Sequence, residues 1–332
     1  MKVAVIGSGT WGTALSQVLV DNGHDVVIYG REKSQVEDIN NNHKNSQYFG
    51  DEIILSEKII ATTSLEECIS NSDMILLSIP TSAMRSVLGE VKTILGTEKK
   101  IIINTAKGFD TEKNQRISEL IKEVLGDNLE SVVSLIGPSH AEEVIVRDLT
   151  CIASVSDDEI TAKKIAEIFS NQYFRVYFHK DVVGAEIGVA MKNAIALASG
   201  ILEGLDYGDN ARAALCTRGL AEIVKFGLIQ GGQLKTYLGL TGLGDLIVTC
   251  YSFHSRNFKA GLEIGKQNSA DEFLKNNKST VEGIRTVKVI HEMSTQIGVE
   301  LPIINSLYNI LYKHASPSVE AHELMNRPLK AE

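Results

Sequence analysis

The sequence VAVIGSGTWG, residues 3–12, places four apolar residues directly before a GxGxxG pattern, and residues 13–21 then follow a helical pattern. A strand, a glycine-rich turn and a helix in this order are typical of a unit that binds the phosphates of a dinucleotide. Gly7 permits the tight turn, Gly9 lets the backbone approach a pyrophosphate, and Gly12 lets the helix lie close to the strand. The helix N-terminus supplies N–H donors and a partial positive charge. The stretch therefore predicts a dinucleotide-binding βαβ unit.

The rest of the first half repeats this alternation of short β-branched runs and helical segments. The runs are apolar on both faces, as expected for strands buried in a parallel sheet with helices on both sides. We therefore predict that residues 1–182 form an N-terminal α/β domain that binds a dinucleotide. This Rossmann domain would have a doubly wound, mostly parallel sheet. The predicted strands are Val3–Ile6, Val26–Tyr29, Ile59–Ala61, Met74–Ile79, Ile101–Asn104, Val132–Ile136, Cys151–Val155 and Arg175–Phe178.

Two local signals place helix ends in this half. Ser64 followed by Glu67 predicts a capping box in front of a short helix. Gly23 stands where a C′ glycine would end the helix that begins near Trp11.

After about Asp181 the strand runs almost vanish, and helical patterns rich in Ala, Leu and Gly take over. Val182–Leu202 is long and apolar, but the interior residues Glu186, Lys192 and Asn193 would be costly in lipid. Its many small residues instead predict a buried helix that neighbouring elements approach closely. Residues 183–332 are therefore predicted to form a C-terminal all-α domain for substrate binding and catalysis.

The composition limits the class of protein. The chain has 332 residues, and 33 Lys plus Arg against 42 Asp plus Glu give a formal net charge of −9, which argues against a nucleic-acid partner. The four cysteines are scattered, and neither they nor the histidines have a spacing typical of metal ligands. Polar residues interrupt the apolar N-terminal stretch, which argues against secretion. We expect a cytoplasmic protein with reduced thiols, no metal and no stable membrane insertion.

The residue that follows the second predicted strand bears on the choice between NAD(H) and NADP(H). An acidic side chain at this position binds the ribose 2′-hydroxyl and repels a 2′-phosphate. Here Tyr29 and Gly30 are followed by Arg31, with Lys33 nearby, and these cations favour NADP(H). Glu32 is adjacent, however, and Arg31 could instead stack on the adenine, so NAD(H) stays open.

Polar residues also follow the fifth and sixth predicted strands. Lys107 comes after the fifth strand, and Gly137, Ser139 and Ala141 come after the sixth. Because open α/β sheets bind ligands at the carboxyl ends of their strands, these residues are predicted to face a cofactor or substrate. The alternative for Ser139 is a helix N-cap, with Glu142 completing a capping box.

Lys192 is unusual because it lies in the middle of the predicted small-residue helix. Burial lowers the pKa of a lysine from about 10.4 toward neutrality, where the amine becomes an effective general acid/base for a carbonyl or an alcohol. The alternative is a lysine whose stem packs on the helix while its ammonium group reaches the surface. Asn193 could orient Lys192 or hydrogen-bond a neighbouring backbone group.

Two later clusters add polar residues of the same kind. In the functional interpretation, Arg256 binds a phosphate, and Ser255 and Asn257 add neutral hydrogen bonds. Asp245 would accept a hydrogen bond from a hydroxyl or orient Lys192. In the alternative interpretation, Asp245 and Ser255 are ordinary helix N-caps and Arg256 is a solvated surface charge.

Taken together, these residues make the sequence resemble the soluble bacterial type of the NAD(P)-dependent sn-glycerol-3-phosphate dehydrogenase family. The resemblance covers essentially the whole length of the chain. The resemblance implies hydride transfer with NADP(H) or NAD(H) that interconverts sn-glycerol 3-phosphate and dihydroxyacetone phosphate, a triose phosphate, for glycerophospholipid synthesis. It also implies a homodimer. The resembling segments are Gly7–Leu15, Asn104–Gly108, Gly137–Val144, Val189–Asn193, Asn210–Glu222, Leu240–Thr249, Ser255–Asn257 and Val281–Arg285.

The resemblance further implies individual roles, with Lys192 as the proton acceptor of the 2-hydroxyl group. Trp11, Ser139 and Thr280 stand where the family often has a smaller aromatic residue, a threonine and a valine. The implied cofactor-binding residues are Gly7, Gly9, Thr10, Trp11, Gly12, Arg31, Lys107, Ala141, Arg256, Thr280 and Glu282. The implied substrate-binding residues are Lys107, Gly137, Ser139, Lys192, Asp245, Ser255, Arg256 and Asn257.

Two other functions stay open from the sequence. The first is a related hydroxyacid dehydrogenase of the same two-domain plan, whose substrate carries a carboxylate. The second is a non-catalytic dinucleotide-binding redox sensor, which would have no use for a proton-transfer group such as Lys192. Lys107 together with Arg256 suits a phosphate better than a carboxylate.

Overall fold

Eight strands in the first part of the chain form one sheet, and the remainder of the chain is helical. The structure, a computed structural model, describes residues 1–110, 112–277, 279–329 and 331. It separates into two units, Met1–Val182 and Val183–Glu332. The predicted fold class, a Rossmann-like sheet followed by an all-α part, is confirmed.

The sheet of the first unit is parallel except at one pair of strands. Its strands are β1 (Lys2–Ile6), β2 (Asp25–Tyr29), β3 (Ile59–Thr62), β4 (Met74–Leu77), β5 (Lys100–Asn104), β6 (Leu129–Ile136), β7 (Thr150–Val155) and β8 (Phe174–His179). Their order in the sheet is β3-β2-β1-β4-β5-β6-β7-β8, and only the β6–β7 pair is antiparallel. The first six strands thus have the order of a dinucleotide-binding doubly wound sheet, in which the carboxyl ends of β1, β2, β5 and β6 share one edge.

All eight predicted strands are present; two of their ends differ from the prediction by two or three residues, and the other ends by at most one. β4 ends at Leu77 and not at Ile79, because Pro80 has no N–H group to continue a ladder and a helix begins directly after it. β6 begins at Leu129, three residues before the apolar run, and pairs with Lys100 across a register shift.

Helices cover both faces of the sheet. Val3 and Val5 of β1 lie in one buried cluster, and Ala4 and Ile6 lie in another. Alternation of β1 side chains between two buried clusters explains why the strand is apolar throughout. The helices of this unit are α1 (Thr10–Asp21), α2 (Lys33–Glu37), α3 (Ser46–Phe49), α4 (Leu65–Ile69), α5 (Thr81–Leu95), α6 (Ile117–Leu125), α7 (Ala141–Val144) and α8 (Glu159–Phe169).

The predicted helix ends are confirmed, with one correction. Gly23 follows the end of α1 with a φ of +80°. The Ser64 hydroxyl caps α4 by accepting a hydrogen bond from the Glu67 backbone N–H at 3.2 Å. The predicted capping box is only half formed, because the Glu67 carboxylate accepts from the Thr62 hydroxyl, which itself accepts from the Ser64 N–H.

The second unit is built around α9 (Val182–Gly204), the helix with many small residues. It is long and apolar enough to span a membrane. However, 94% of an 18-residue apolar stretch of this helix is buried inside the structure, as predicted for a core helix. A Cβ added at Gly200 would lie 2.1 Å from the Phe258 carbonyl oxygen, so glycine permits a close helix contact there. The other helices are α10 (Asp209–Ile229), α11 (Leu234–Tyr237), α12 (Asp245–Tyr251), α13 (Arg256–Gln267), α14 (Asp271–Asn276), α15 (Glu282–Gln296), α16 (Pro302–Tyr312) and α17 (Pro317–Met325).

One of these helices is capped by a buried carboxylate from a residue that is far away in the sequence. Leu301 occupies the N-cap of α16 and offers no side-chain acceptor. The carboxylate of Glu222, on α10, instead accepts hydrogen bonds from the backbone N–H groups of Ile303 at 2.7 Å and Ile304 at 3.3 Å. Burial raises the pKa of Glu222 to about 7, although these two hydrogen bonds oppose the shift.

We expect Glu222→Gln to flatten the pH dependence of stability. Between the ordinary glutamate pKa of 4.5 and about 7, the folded state binds a proton at Glu222 and the unfolded state does not. The contribution of Glu222 to the free energy of unfolding is therefore largest below pH 4.5 and falls as the pH rises through 7. Urea denaturation followed by circular dichroism should show the wild type losing on the order of 2 kcal/mol more than the variant between about pH 5 and about pH 8. Equal losses in the two proteins would contradict this account, and the exposed Glu263→Gln is the matched control.

Candidate active site

The glycine-rich turn between β1 and α1 fits a phosphate group. Gly7 has a φ of +115°, and a Cβ there would lie 2.3 Å from the Ser78 carbonyl oxygen. A Cβ at Gly12 would lie 1.9 Å from the Gly7 carbonyl oxygen. A Cβ at Gly9, in contrast, would meet no described atom within 4 Å. Gly7 and Gly12 thus serve the fold, whereas Gly9 leaves open space at the N-terminus of α1, where N–H groups and the helix dipole attract anions.

Two buried side-chain amides hold this turn in place, and no pattern in the sequence predicts either of them. The Ser8 carbonyl oxygen accepts hydrogen bonds from the side chains of Gln35 at 2.6 Å and Asn45 at 2.9 Å. Gln35 also accepts from the Ser8 hydroxyl at 2.7 Å, and Asn45 donates to the Thr13 hydroxyl at 2.8 Å. Gln35 lies on α2 and Asn45 directly precedes α3, so neither belongs to a local motif around the turn.

The other residues predicted to bind the cofactor in this unit lie beside the turn. Thr10 begins α1, and Trp11 follows it with its ring centroid 6.5 Å from that of Phe174. Arg31 is exposed and comes after Gly30, whose N–H donates to the Thr62 carbonyl at the end of β3. Arg31 is therefore at the edge of the sheet where β1 and β2 end, with its side chain accessible to a ligand.

The loops after β5 and β6 meet through Lys107. Its Nζ donates to the Gly137 carbonyl oxygen at 2.7 Å, and the Ser139 hydroxyl donates to the same oxygen at 3.1 Å. α7 begins at Ala141 with His140 at its N-cap, so the alternative interpretation of Ser139 as a helix cap is wrong. Three of the predicted substrate-binding residues, Lys107, Gly137 and Ser139, are thus in direct contact.

An ion-pair network anchors the loop that follows Lys107. The Arg85 guanidinium lies 2.6 Å from buried Asp110 and 2.9 Å from Glu123. Asp110 also accepts from the backbone N–H groups of Glu112 and Lys113. Burial works to raise the pKa of Asp110, but the hydrogen bonds and the charge of Arg85 lower it below its usual value. The carboxylate therefore stays charged and ties the loop to α5.

In the second unit, Lys192 lies in a buried polar cluster. Its side chain is 6% exposed, so the alternative of an ammonium group at the surface is wrong. Lys192 Nζ is 3.0 Å from Asp245 Oδ1 and donates to Thr249 Oγ1 at 2.6 Å. The Thr249 hydroxyl donates in turn to the Asp245 carbonyl oxygen at 2.6 Å. The carboxylate balances the charge of Lys192, and the two oxygens fix the direction of its side chain.

The local backbone explains why Asp245 faces Lys192. A π-helical turn, Leu240–Gly244, leads directly into α12, whose first residue is Asp245. A Cβ at Gly188 of α9 would lie 2.5 Å from the Thr241 carbonyl oxygen, so glycine lets this turn lie against α9 one helical turn before Lys192. Gly244 is the residue at the N-cap of α12, and the alternative interpretation of Asp245 as that cap is wrong.

A second set of contacts ties the 255–257 cluster to Asn193, the residue that follows Lys192 in the chain. Asn257 donates to Asn193 at 3.0 Å and accepts from the Gly283 N–H at 2.8 Å. Ser255 is the N-cap of α13, accepting from the Phe258 N–H at 3.2 Å, as its alternative interpretation predicts. Asn193, which lies next to Lys192, is thereby tied to the N-terminus of α13.

Arg256 and the residues near α15 complete this set. Arg256 is the first residue of α13 and is exposed. Glu282 begins α15, directly before the Gly283 that contacts Asn257, and Thr280 is exposed two residues earlier. No group of three or more His, Cys, Asp or Glu side chains in the described part of the chain could hold a metal ion.

The sequence pattern marks the buried lysine and its aspartate but does not mark Thr249. Thr249 lies one helical turn after Asp245 on α12, and a hydroxyl in a helical run ordinarily packs or bonds a preceding carbonyl. Its position four residues after Asp245 puts both oxygens on one helix face. That spacing is the one signal in the sequence that could have suggested its contact with Lys192.

A glycine turn that fits a dinucleotide phosphate and a buried lysine held by an aspartate define a nicotinamide-dependent dehydrogenase. The N-terminal and C-terminal models of the NAD-dependent glycerol-3-phosphate dehydrogenase family match residues 2–162 and 181–322. The chain belongs to this family, so it is an oxidoreductase of the NAD(P)-dependent type.

Two relatives illustrate how far the similarity extends. A glycerol-3-phosphate dehydrogenase [NAD(P)+] of Enterococcus faecalis is 47% identical over 332 residues, covering 100% of this chain and 97% of the relative. The crystal structure of glycerol-3-phosphate dehydrogenase from Coxiella burnetii is 30% identical with a TM-score of 0.91, covering 98% of this chain and 99% of that one. A D-mandelate dehydrogenase, 15% identical with a TM-score of 0.63 over 98% of this chain and all of that one, shares the fold alone.

Proposed function

We propose that this protein interconverts sn-glycerol 3-phosphate and dihydroxyacetone phosphate with NADP(H) or NAD(H). The single observation that carries the proposal is the Lys192 ammonium group, buried and directed by Asp245 and Thr249 in a member of the glycerol-3-phosphate dehydrogenase family. A redox sensor would gain nothing from burying this charge. When bound, the nicotinamide supplies or accepts the hydride at C2 of the substrate.

Lys192 is the proposed general acid/base. In the direction of reduction, the Lys192 ammonium donates a proton to the C2 carbonyl oxygen, which becomes the 2-hydroxyl group as C2 receives the hydride. In the direction of oxidation, the neutral amine takes the hydroxyl proton. The Asp245 carboxylate, 3.0 Å away, stabilises the ammonium form, and the Thr249 hydroxyl holds the direction of Nζ. General acid/base groups of this kind typically contribute about 10²- to 10⁴-fold to rate.

The phosphate of the substrate is proposed to bind cationic and neutral donors from the predicted set. Arg256 offers a planar fork of N–H groups that matches phosphate oxygens, and its exposure leaves the guanidinium accessible. Ser255 is the N-cap of α13 and Asn257 is its second residue, and the N-terminal N–H groups of this helix also favour an anion. Lys107 is the proposed cation of the first unit, and its bond to the Gly137 carbonyl directs its ammonium group.

A panel of carbonyl substrates tests this function. We expect rapid oxidation of NADPH or NADH with dihydroxyacetone phosphate, and little with dihydroxyacetone or with 2-oxo acids that carry a carboxylate. We expect Arg256→Ala to discriminate less between dihydroxyacetone phosphate and dihydroxyacetone, mainly because its KM for dihydroxyacetone phosphate is higher. Preference for a 2-oxo acid would contradict the proposal and favour a hydroxyacid dehydrogenase of the same fold.

We expect Arg31→Asp to shift cofactor preference toward NADH. The guanidinium at the end of β2 would attract a 2′-phosphate, and an aspartate there would repel it and accept from the ribose hydroxyls. The ratio of kcat/KM for NADPH to that for NADH should fall about tenfold or more, equivalent to about 1.4 kcal/mol. Lys58→Asp is the matched control, because it makes the same charge change on an exposed residue directly before β3, at the opposite edge. An unchanged ratio in Arg31→Asp would contradict a contact between Arg31 and the 2′-phosphate. It would favour the alternative in which Arg31 stacks on the adenine.

The wider context of the reaction belongs to the same proposal. A cytoplasmic enzyme of this type would supply sn-glycerol 3-phosphate for glycerophospholipid synthesis, with small molecules as its only ligands. We also propose a homodimer, by analogy with the family. Light scattering on the purified protein tests the dimer, and a mass of about 36 kDa, that of one chain, would contradict it.

A further inference from the structure

Three buried side chains donate hydrogen bonds to a single carbonyl oxygen, that of Ser8 in the glycine turn. The donors are Gln35 Nε2 at 2.6 Å, Asn45 Nδ2 at 2.9 Å and Thr13 Oγ1 at 3.3 Å. Gln35 Nε2 also donates to Asn45 Oδ1 at 3.0 Å, and Asn45 Nδ2 donates to Thr13 Oγ1 at 2.8 Å. Each amide nitrogen thus uses both of its N–H groups within this network. The network fixes the direction of the Ser8 carbonyl group.

The direction of this carbonyl group also fixes the direction of the next N–H group. The peptide bond between Ser8 and Gly9 is trans, since the described residues contain no cis peptide bond. In a planar trans peptide the C=O and N–H groups point in opposite directions, so the Gly9 N–H points away from the two amides. Gly9 is the N-cap of α1, and a Cβ there would meet no described atom within 4 Å. The N–H group therefore lies beside open space, at the end of α1 that attracts anions.

Side chains are needed here because α1 itself does not hold this peptide group. The next peptide is held by the helix, since the Gly9 carbonyl oxygen accepts from the Thr13 N–H at 3.0 Å. Ser8 lies one residue earlier, and within the described part of the chain only side chains donate to its carbonyl oxygen. Without them, the peptide is free to rotate and to turn its carbonyl oxygen toward the open space. Gly9 has no Cβ to oppose that rotation.

We propose that Gln35 and Asn45 are positioning residues for the dinucleotide, which keep the Gly9 N–H, and not the Ser8 carbonyl oxygen, directed at its pyrophosphate. In the reverse orientation one donor is lost, and the partial negative charge of a carbonyl oxygen faces the phosphates. A donor that is held in advance binds an anion without a further cost of ordering. NADPH and NADH share the pyrophosphate, so this effect is separate from the contact proposed for Arg31. Its consequence for turnover rests on the proposed function.

Replacement of each amide by an apolar side chain of similar size tests the proposal. Gln35→Met and Asn45→Leu remove donors to the Ser8 carbonyl oxygen and add no charge. We expect each variant to raise the dissociation constants of NADPH and NADH by the same factor, about tenfold, in calorimetric titrations. With dihydroxyacetone phosphate as substrate, the KM for the cofactor should rise in the same way while kcat stays within about twofold. A variant that is only less stable would instead lose kcat through a smaller folded fraction and keep its KM.

A variant with a titratable side chain gives a second readout. Gln35→Glu keeps the size of the side chain and an acceptor for the Ser8 hydroxyl, but its carboxylate has no hydrogen to donate. The protonated carboxyl group can donate to the Ser8 carbonyl oxygen again. Because burial raises the pKa of a carboxyl group, the affinity for NAD⁺ relative to the wild type should recover as the pH falls from about 8 to about 6. A packing defect would not recover in this way.

The outcomes that overturn the proposal differ between the variants. Unchanged affinity in folded Gln35→Met and Asn45→Leu would overturn it, as would a loss of affinity for NADPH alone, or a deficit in Gln35→Glu that does not depend on pH. If the apolar variants do not fold, Gln35→Glu carries the test. Gln172→Met, at an exposed residue of the same unit, is the matched control and should bind like the wild type.

The titrations do not depend on turnover. If the wild-type protein binds NADPH but does not reduce dihydroxyacetone phosphate, the proposed function fails, and the roles of Gln35 and Asn45 are still tested.

Discussion

Lys192→Met is expected to lower kcat about 10³-fold while the dissociation constant of the dinucleotide stays within about twofold. Methionine keeps much of the volume of the lysine stem but has no proton to exchange. The glycine turn that is proposed to bind the cofactor belongs to the other unit. Stopped-flow kinetics with dihydroxyacetone phosphate, together with fluorescence titration of NADPH, measures both quantities on the same preparation.

Removal of Lys192 also leaves the buried Asp245 carboxylate without its cation, which by itself can destabilise a protein by several kcal/mol. The double variant Lys192→Met, Asp245→Asn makes the pair neutral and should fold while staying inactive. Lys225→Met is the matched control, because Lys225 is an exposed lysine on α10. Turnover of a folded Lys192→Met protein within about tenfold of the wild type would remove Lys192 from the role of general acid/base.

Gly9→Ala is expected to weaken dinucleotide binding about 30-fold or more without loss of stability. The methyl group meets no described atom within 4 Å, and the φ of −71° and ψ of −175° suit alanine. The space that it fills is the space proposed for the pyrophosphate, and overpacking of this kind costs about 2 kcal/mol, which corresponds to the expected change in affinity. Calorimetric titration of NADPH and thermal unfolding measure the two effects separately.

Two further glycine variants make this result specific. Gly12→Ala should lower both stability and binding, since its Cβ would lie 1.9 Å from the Gly7 carbonyl oxygen. Gly89→Ala, in the middle of α5 with open space around its Cβ, should leave binding unchanged and stabilise the protein by about 0.5–1 kcal/mol. Normal affinity in Gly9→Ala would contradict the proposed path of the pyrophosphate.

The strands and the buried helix α9 could be predicted because their patterns are continuous. Apolar runs such as residues 101–103 are buried on both faces, and the small residues of α9 are spaced along one helix. The antiparallel pairing of β6 with β7 could not be predicted in the same way. The inner residues of β7 are as buried as those of the parallel strands, and the direction of β7 depends on a connection in which only α7, four residues long, is helical.

The residues of the candidate site also fall into those that a continuous or local sequence pattern marks and those that it does not. The glycine turn and the Lys192-Asn193 pair are recognisable from spacing or from an ionisable residue in an apolar helix. Gln35 and Asn45, in contrast, act through tertiary hydrogen bonds to Ser8, and no local pattern marks either residue. Glu222 is similar, because its partners lie about 80 residues further along the chain. Contacts of this kind depend on the packing of elements that the sequence pattern alone does not place.

Transfer of deuterium from NADPH tests the central claim most directly. The wild-type protein is mixed with dihydroxyacetone phosphate and NADPH that carries deuterium at both C4 positions, and the product is analysed by mass spectrometry. The account predicts rapid loss of nicotinamide absorbance and sn-glycerol 3-phosphate with one deuterium on C2, formed in equal amount to the cofactor consumed. Binding of NADPH with no product, or a product without deuterium on C2, would contradict it.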